Sequence, residues 1–127
     1  KVENLFVLRG GITPTKRCAE LDRLAALPPD AARVIVATGA YIGEGFDDSR
    51  LDTLFLAMPI SWKGTLQQYA GRLHRLHADK REVVVFDYVD GMVPMLERMF
   101  LKRRKGYEAI GYETRDDWNW PVRPPAR

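Results

Sequence analysis

Gln68, Arg72 and Arg75 lie within the run Gln68-Tyr69-Ala70-Gly71-Arg72-Leu73-His74-Arg75. On a helix, positions i, i+4 and i+7 share one face, so this spacing aligns an amide with two guanidiniums. Leu66, Tyr69, Ala70, Leu73 and Leu76 then cover another face and are expected to pack on a sheet. Arginine suits an anionic ligand because its planar fork binds phosphate oxygens bidentately and never loses its charge. The competing reading is a solvated arginine pair on an exposed helix face, and the spacing alone does not separate the two.

A second segment adds chemistry of a complementary kind. Val34-Ile35-Val36-Ala37 reads as a strand running into Thr38-Gly39, and then into Ile42-Gly43-Glu44-Gly45-Phe46-Asp47. Ligands of open α/β sheets bind at the C-terminal ends of strands. Glycines there let the backbone approach a ligand and expose amide donors. A carboxylate just beyond, such as Asp47, can accept from a ribose hydroxyl. In isolation the same glycines would read as a turn that needs positive φ.

The elements that must position these groups alternate between strand and helix. Asn4 to Leu8 is an apolar run stopped by Gly10-Gly11. Pro14 suits a first helical turn, and Ala19, Leu21, Leu24, Ala25 and Leu27 recur at helical spacing until Pro28-Pro29. Thr53 to Met58 is a third strand closed by Pro59, a helix is expected from about Gly64 to Leu76, and Val83 to Tyr88 is a fourth strand. Val93 to Lys105 reads as a last amphipathic helix with Pro94 in its first turn. Short apolar strands separated by helices imply a parallel sheet covered on both faces. Residues 1–114 form the expected domain, and 115–127, with Trp118, Trp120 and its prolines, an extended tail.

The chain has 127 residues, 46% hydrophobic and 29% charged, which suits one globular domain rather than a disordered segment. No apolar run approaches the ~20 residues needed to cross a bilayer. The opening Lys1-Val2-Glu3-Asn4 has no basic segment ahead of an apolar one, so no signal peptide is expected. A start at Lys1 rather than methionine reads as an excised or processed fragment. Cys18 stands alone, which fits a reducing, cytoplasmic setting, and it reads as a small apolar filler. A net charge of +3 mildly favours an anionic partner. Positive charge gathers at Arg98, Lys102, Arg103, Arg104 and Lys105, read as a solvated helix end.

Together, in this order, the two segments resemble motifs V and VI of superfamily 2 helicases and translocases. Motif V is of the Ala-Thr-x-x-x-x-x-Glu-Gly-Phe-Asp type at Ala37 to Asp47, and motif VI of the Gln-x-x-Gly-Arg-x-x-Arg type at Gln68 to Arg75. Val7-Leu8-Arg9-Gly10-Gly11, with Arg17 following, also looks like the stretch ahead of motif V in these lobes. The resemblance runs from about Phe6 to Tyr88 and is nearer to restriction-subunit-like DNA translocases than to DEAD-box RNA helicases, whose motif VI usually opens with histidine. It implies an α/β, RecA-like three-layer sandwich with a parallel sheet of about four strands. The first strand and helix of the family's C-terminal lobe would be missing.

The resemblance further implies roles. Arg75 would be the arginine finger and Arg72 would assist at the same phosphates. Gln68, Gly45 and Asp47 would contact the nucleotide, with Asp47 near the ribose. Thr38, Gly39 and Arg17 would face a nucleic-acid backbone, DNA rather than RNA. ATP would be shared with an N-terminal RecA-like lobe, which would hold Mg2+. No G-x-x-x-x-G-K-[ST] phosphate loop occurs here, since Lys63-Gly64-Thr65 has the wrong residues before it. The lobe alone is therefore expected not to turn over ATP, and its incomplete sheet is expected to favour self-association. Two other readings stay open: a self-sufficient nucleotide-binding α/β domain, and a degenerate lobe used as a protein-interaction module.

His74 and His77 have no Cys or carboxylate at metal spacing, so no metal site is expected. Asp87 and Asp90 read as a strand end and a helix cap, and Trp62 as core packing.

Overall fold

A computed structural model describes residues 2–38, 47–60, 66–75, 77–78 and 80–115. The fold is α/β, with four short strands and three helices in the described residues. The strands are β1 (Leu5–Leu8), β2 (Val34–Ala37), β3 (Thr53–Leu56) and β4 (Val84–Asp87). The helices are α1 (Pro14–Ala25), α2 (Gln67–Leu73) and α3 (Pro94–Ala109). The chain divides into two compact units. One comprises Lys1–Met58 with Lys63–Tyr88; the other comprises Pro59–Trp62 with Val89–Arg127.

In the first unit, Gly10-Gly11 ends β1, and Gly11 adopts φ 81°, a left-handed conformation that residues with a Cβ avoid. Thr13 then caps α1, its hydroxyl accepting from the Lys16 amide at 3.3 Å, and Pro14 opens the first turn. The helix returns the chain so that β2 pairs parallel with β1, Leu5 opposite Val34 and Leu8 opposite Ala37. One face of this ladder is buried. Phe6, Leu8 and Leu24 form its core, with Leu21, Leu27, Ile35, Ala37 and Leu51 packed around them. Cys18 is exposed on α1 rather than filling this core, because the inward stripe runs through Leu21 and Leu24.

Strands β3 and β4 pair parallel in the same way, Thr53 opposite Val84 and Phe55 opposite Phe86. The two phenylalanine rings stack with centroids 4.7 Å apart. α2, which lies between these strands in sequence, packs against β3 and buries Tyr69, Ala70 and Leu73. Leu66, immediately before it, is fully buried, as the apolar pattern predicts.

The strands occupy the expected places and are parallel, but among the described residues they are not joined in one four-stranded sheet. The described residues hold two ladders, β1–β2 and β3–β4. A parallel pair needs a crossover, usually helical, and β1→β2 and β3→β4 each have one. Ahead of β3, the described stretch from Asp47 is bound to the end of α1 through Arg50.

In the second unit, Pro94 opens α3 as expected, but the cap residue is Val93. Asp90 is not a helix cap. Its carboxylate accepts from the Met92 amide at 3.0 Å, closing the turn before the helix. α3 ends in a Schellman motif, with Gly111 at φ 95°. The Tyr112 amide donates to the Tyr107 carbonyl at 3.0 Å and the Gly111 amide to the Glu108 carbonyl at 3.1 Å. Arg103 is buried, only 1% exposed, and donates to the Ile60 carbonyl at 2.8 Å. The basic run on α3 is thus not wholly a solvated helix end. Trp62, Trp118, Trp120 and the tail from residue 116 lie outside the described residues.

Candidate functional site

Asp47 and Arg75 come from separate segments and meet. Arg75 Nη1 donates to Asp47 Oδ2, a pair joining the residue after the glycine-rich stretch to the end of the α2 segment. Both side chains remain substantially open, 55% exposed for Arg75 and 39% for Asp47. A cation suited to phosphate oxygens and a carboxylate suited to sugar hydroxyls thus stand together, accessible from solvent.

Each partner is held from behind. On the Arg75 side, α2 stops at Leu73, with His74 as its cap, rather than continuing to Leu76. The Lys80 ammonium explains the early stop. It donates to the Leu73 carbonyl at 2.8 Å and the Arg75 carbonyl at 2.9 Å, taking acceptors that a longer helix would satisfy with its own amides. Burial pushes the Lys80 pKa down, partly offset by the charges of Asp52 and Asp48. Arg75 consequently follows the helix in a tight turn, its amide donating to the Arg72 carbonyl at 3.2 Å. It does not extend the helical face of Gln68 and Arg72. Gln68 is exposed on α2 and Arg72 half-buried.

On the Asp47 side, the next residue, Asp48, sits between two guanidiniums. Its Oδ1 accepts from the Arg50 amide at 3.0 Å and Arg50 Nε at 2.7 Å, and its Oδ2 from Arg50 Nη2 at 2.9 Å and Arg33 Nη1 at 3.3 Å. The side chains of Asp48 and Arg33 are each only 5% exposed. Burial alone would raise the Asp48 pKa. The side-chain and backbone hydrogen bonds from Arg50, with the charges of Arg50 and Arg33, more than offset it and hold the carboxyl below its ordinary 3.8. The same two arginines reach further. Arg50 donates to the Leu27 and Leu24 carbonyls at 3.1 and 3.3 Å, and Arg33 to those of Pro28, Pro29 and Ala31. No expectation drawn from the residues covers this cluster. Its signal was the Asp48-x-Arg50 spacing of a side-chain-closed turn.

Of the other expected residues, Thr38 is exposed just beyond β2, its amide donating to the Leu8 carbonyl at 3.1 Å. Arg17 is half-buried on α1. Gly39 and Gly45 lie outside the described residues, as do Gly43 and Leu76. Among the described residues there is no group of three or more His, Cys, Asp or Glu that could hold a metal ion. No helix among them is long and apolar enough to cross a membrane.

No family model matches the chain, and no solved structure matches it. Over 79 residues it is 35% identical to the protein named "Putative helicase 161L" of Invertebrate iridescent virus 6, covering 62% of this chain but 17% of that one. Over 82 residues it is 38% identical to "Uncharacterized protein 108L" of Invertebrate iridescent virus 3, covering 65% of this chain and 74% of that protein. With that extent of likeness, the chain belongs to the family of the iridescent virus 108L protein.

Proposed function

We infer that the chain is the C-terminal motor lobe of an ATP-dependent nucleic-acid helicase or translocase, with a RecA-like sandwich as its fold. The observation that carries this reading is the Asp47–Arg75 pair, which joins the ends of the two motif-like segments. The likeness over 79 residues to the protein named "Putative helicase 161L" also supports it. The groups present fit a nucleotide: Arg75 and Arg72 can donate to phosphate oxygens, and Asp47 can accept from a ribose hydroxyl.

In this reading Arg75 leaves Asp47 for the terminal phosphate of ATP held by an N-terminal RecA-like lobe. There it stabilises the charge that develops during phosphoryl transfer, a contribution worth about 10³–10⁵ in rate. Arg72 assists, Gln68 and Gly45 complete the nucleotide contacts, and Mg2+ is held by the other lobe. Thr38, Gly39 and Arg17 contact the phosphate backbone of a nucleic-acid strand, with DNA the proposed substrate. Alone, the lobe has no phosphate loop and turns over no ATP.

The test is DNA-stimulated ATP hydrolysis by the two-lobed enzyme. Unchanged rates in both Arg75→Ala and Arg72→Ala would remove the assignment. Micromolar ATP binding by this chain alone would instead favour a self-sufficient nucleotide-binding domain.

A further inference from the structure

We propose that Asp48 is a positioning residue: clamped between Arg33 and Arg50, it sets the chain direction at Asp47 so that the Asp47 carboxylate meets Arg75. The functional meaning of this proposal rests on the reading of Asp47 and Arg75 as nucleotide-site residues. The geometric claim does not.

Asp47 is an exposed side chain paired with another exposed side chain, and an exposed pair does not hold a segment in place by itself. The adjacent residue is the opposite case. The Asp48 side chain is little exposed, both of its carboxylate oxygens are filled by guanidinium donors, and its backbone carbonyl accepts from the Leu51 amide at 3.2 Å. The two guanidiniums are in turn tied to carbonyls at the end of α1 and in the loop before β2. A planar fork bonded on several sides has few orientations left. The clamp therefore transmits the rigidity of the β1–α1–β2 core to one peptide, and Asp47 is attached to that peptide. On the opposite side Lys80 fixes the Arg75 carbonyl. Among the described residues neither Asp48 nor its arginines bond to Arg75, so their influence on it must pass through Asp47.

The experiment reads the rotation of the Arg75 guanidinium by nitrogen-15 NMR in this chain without nucleotide. A guanidinium bonded to a carboxylate rotates slowly about its Cζ–Nε bond, and Asp47→Asn calibrates the rate once that pair is lost. Asp48→Asn is expected to speed Arg75 rotation severalfold, to about the Asp47→Asn rate, with the β1–β2 amide signals of Leu5–Leu8 unmoved. Asp48→Glu, which keeps the charge, is expected to recover part of the slowing. If Asp48→Asn does not fold, Arg50→Lys replaces it. That variant keeps the charge but loses the fork, and the same acceleration is expected. Native β1–β2 signals with Arg75 rotating at its original rate in either variant would overturn the proposal. Failure of the nucleotide reading is seen elsewhere, in ATP hydrolysis by the Arg75 variants, and would leave the rotation rates untouched.

Discussion

At the residue scale, two ion pairs next to each other in sequence do opposite work. The Asp47–Arg75 pair is open to water, and such pairs contribute about 0–1 kcal/mol. Arg75→Ala should therefore leave thermal stability almost unchanged, by about 1 kcal/mol at most, which a melting curve checks directly. The Asp48 side chain is enclosed by two cations, and removing one partner of such a pair costs more than breaking an exposed one. Asp48→Asn should lower the melting temperature clearly. Acid adds a second signature. Because the folded pKa of Asp48 lies below 3.8, its stabilisation is complete above that value and is lost as pH falls through the depressed one. Between the two values the unfolded chain holds the extra proton, so stability rises with pH there. Melting curves taken from pH 5 downward should fall more steeply for the original chain than for Asp48→Asn.

At the element scale, the helix ends show what the sequence could and could not reveal. Thr13-Pro14 and Pro94 announce the starts of α1 and α3, because cap and proline act within one turn. The four strands were legible as apolar runs bounded by glycine and proline. The end of α2 was not legible, since it depends on the Lys80 side chain returning to the Leu73 carbonyl. The burial of Arg103 was equally hidden, because its acceptor, Ile60, lies far away in the chain. Gly111 makes an independent test of the α3 terminus. At φ 95° an added Cβ is strained, so Gly111→Ala should cost about 1–2 kcal/mol in the stability of α3. Hydrogen exchange at the Tyr112 amide, which closes the Schellman turn, would report it. A left-handed C-cap that accepted alanine without loss would contradict the assignment.

At the scale of the whole molecule, the β1–β2 ladder leaves one apolar face open: Leu5 and Val7 on one strand lie opposite Val34 and Val36 on the other, each 41–54% exposed. Parallel sheets are ordinarily covered on both faces. Among the described residues the β3–β4 ladder leaves further strand edges, and unpaired edges invite pairing with another chain. The chain should accordingly self-associate, with an average mass in light scattering that rises with concentration. Val36→Lys, which places a charge on the open face, should lower that mass. A clean monomer at every concentration would count against this account of the incomplete sheet. The candidate site was legible only in part. Residue types and order pointed to Asp47 and Arg75, whereas the buried clamp beside Asp47 depends on long-range folding. The most direct measurement of the proposed motor role is DNA-stimulated ATP hydrolysis by a two-lobed protein that contains this chain with Arg75→Ala. The rate should fall by about 10³-fold or more with little change in melting temperature, and a rate equal to the original would contradict the central claim.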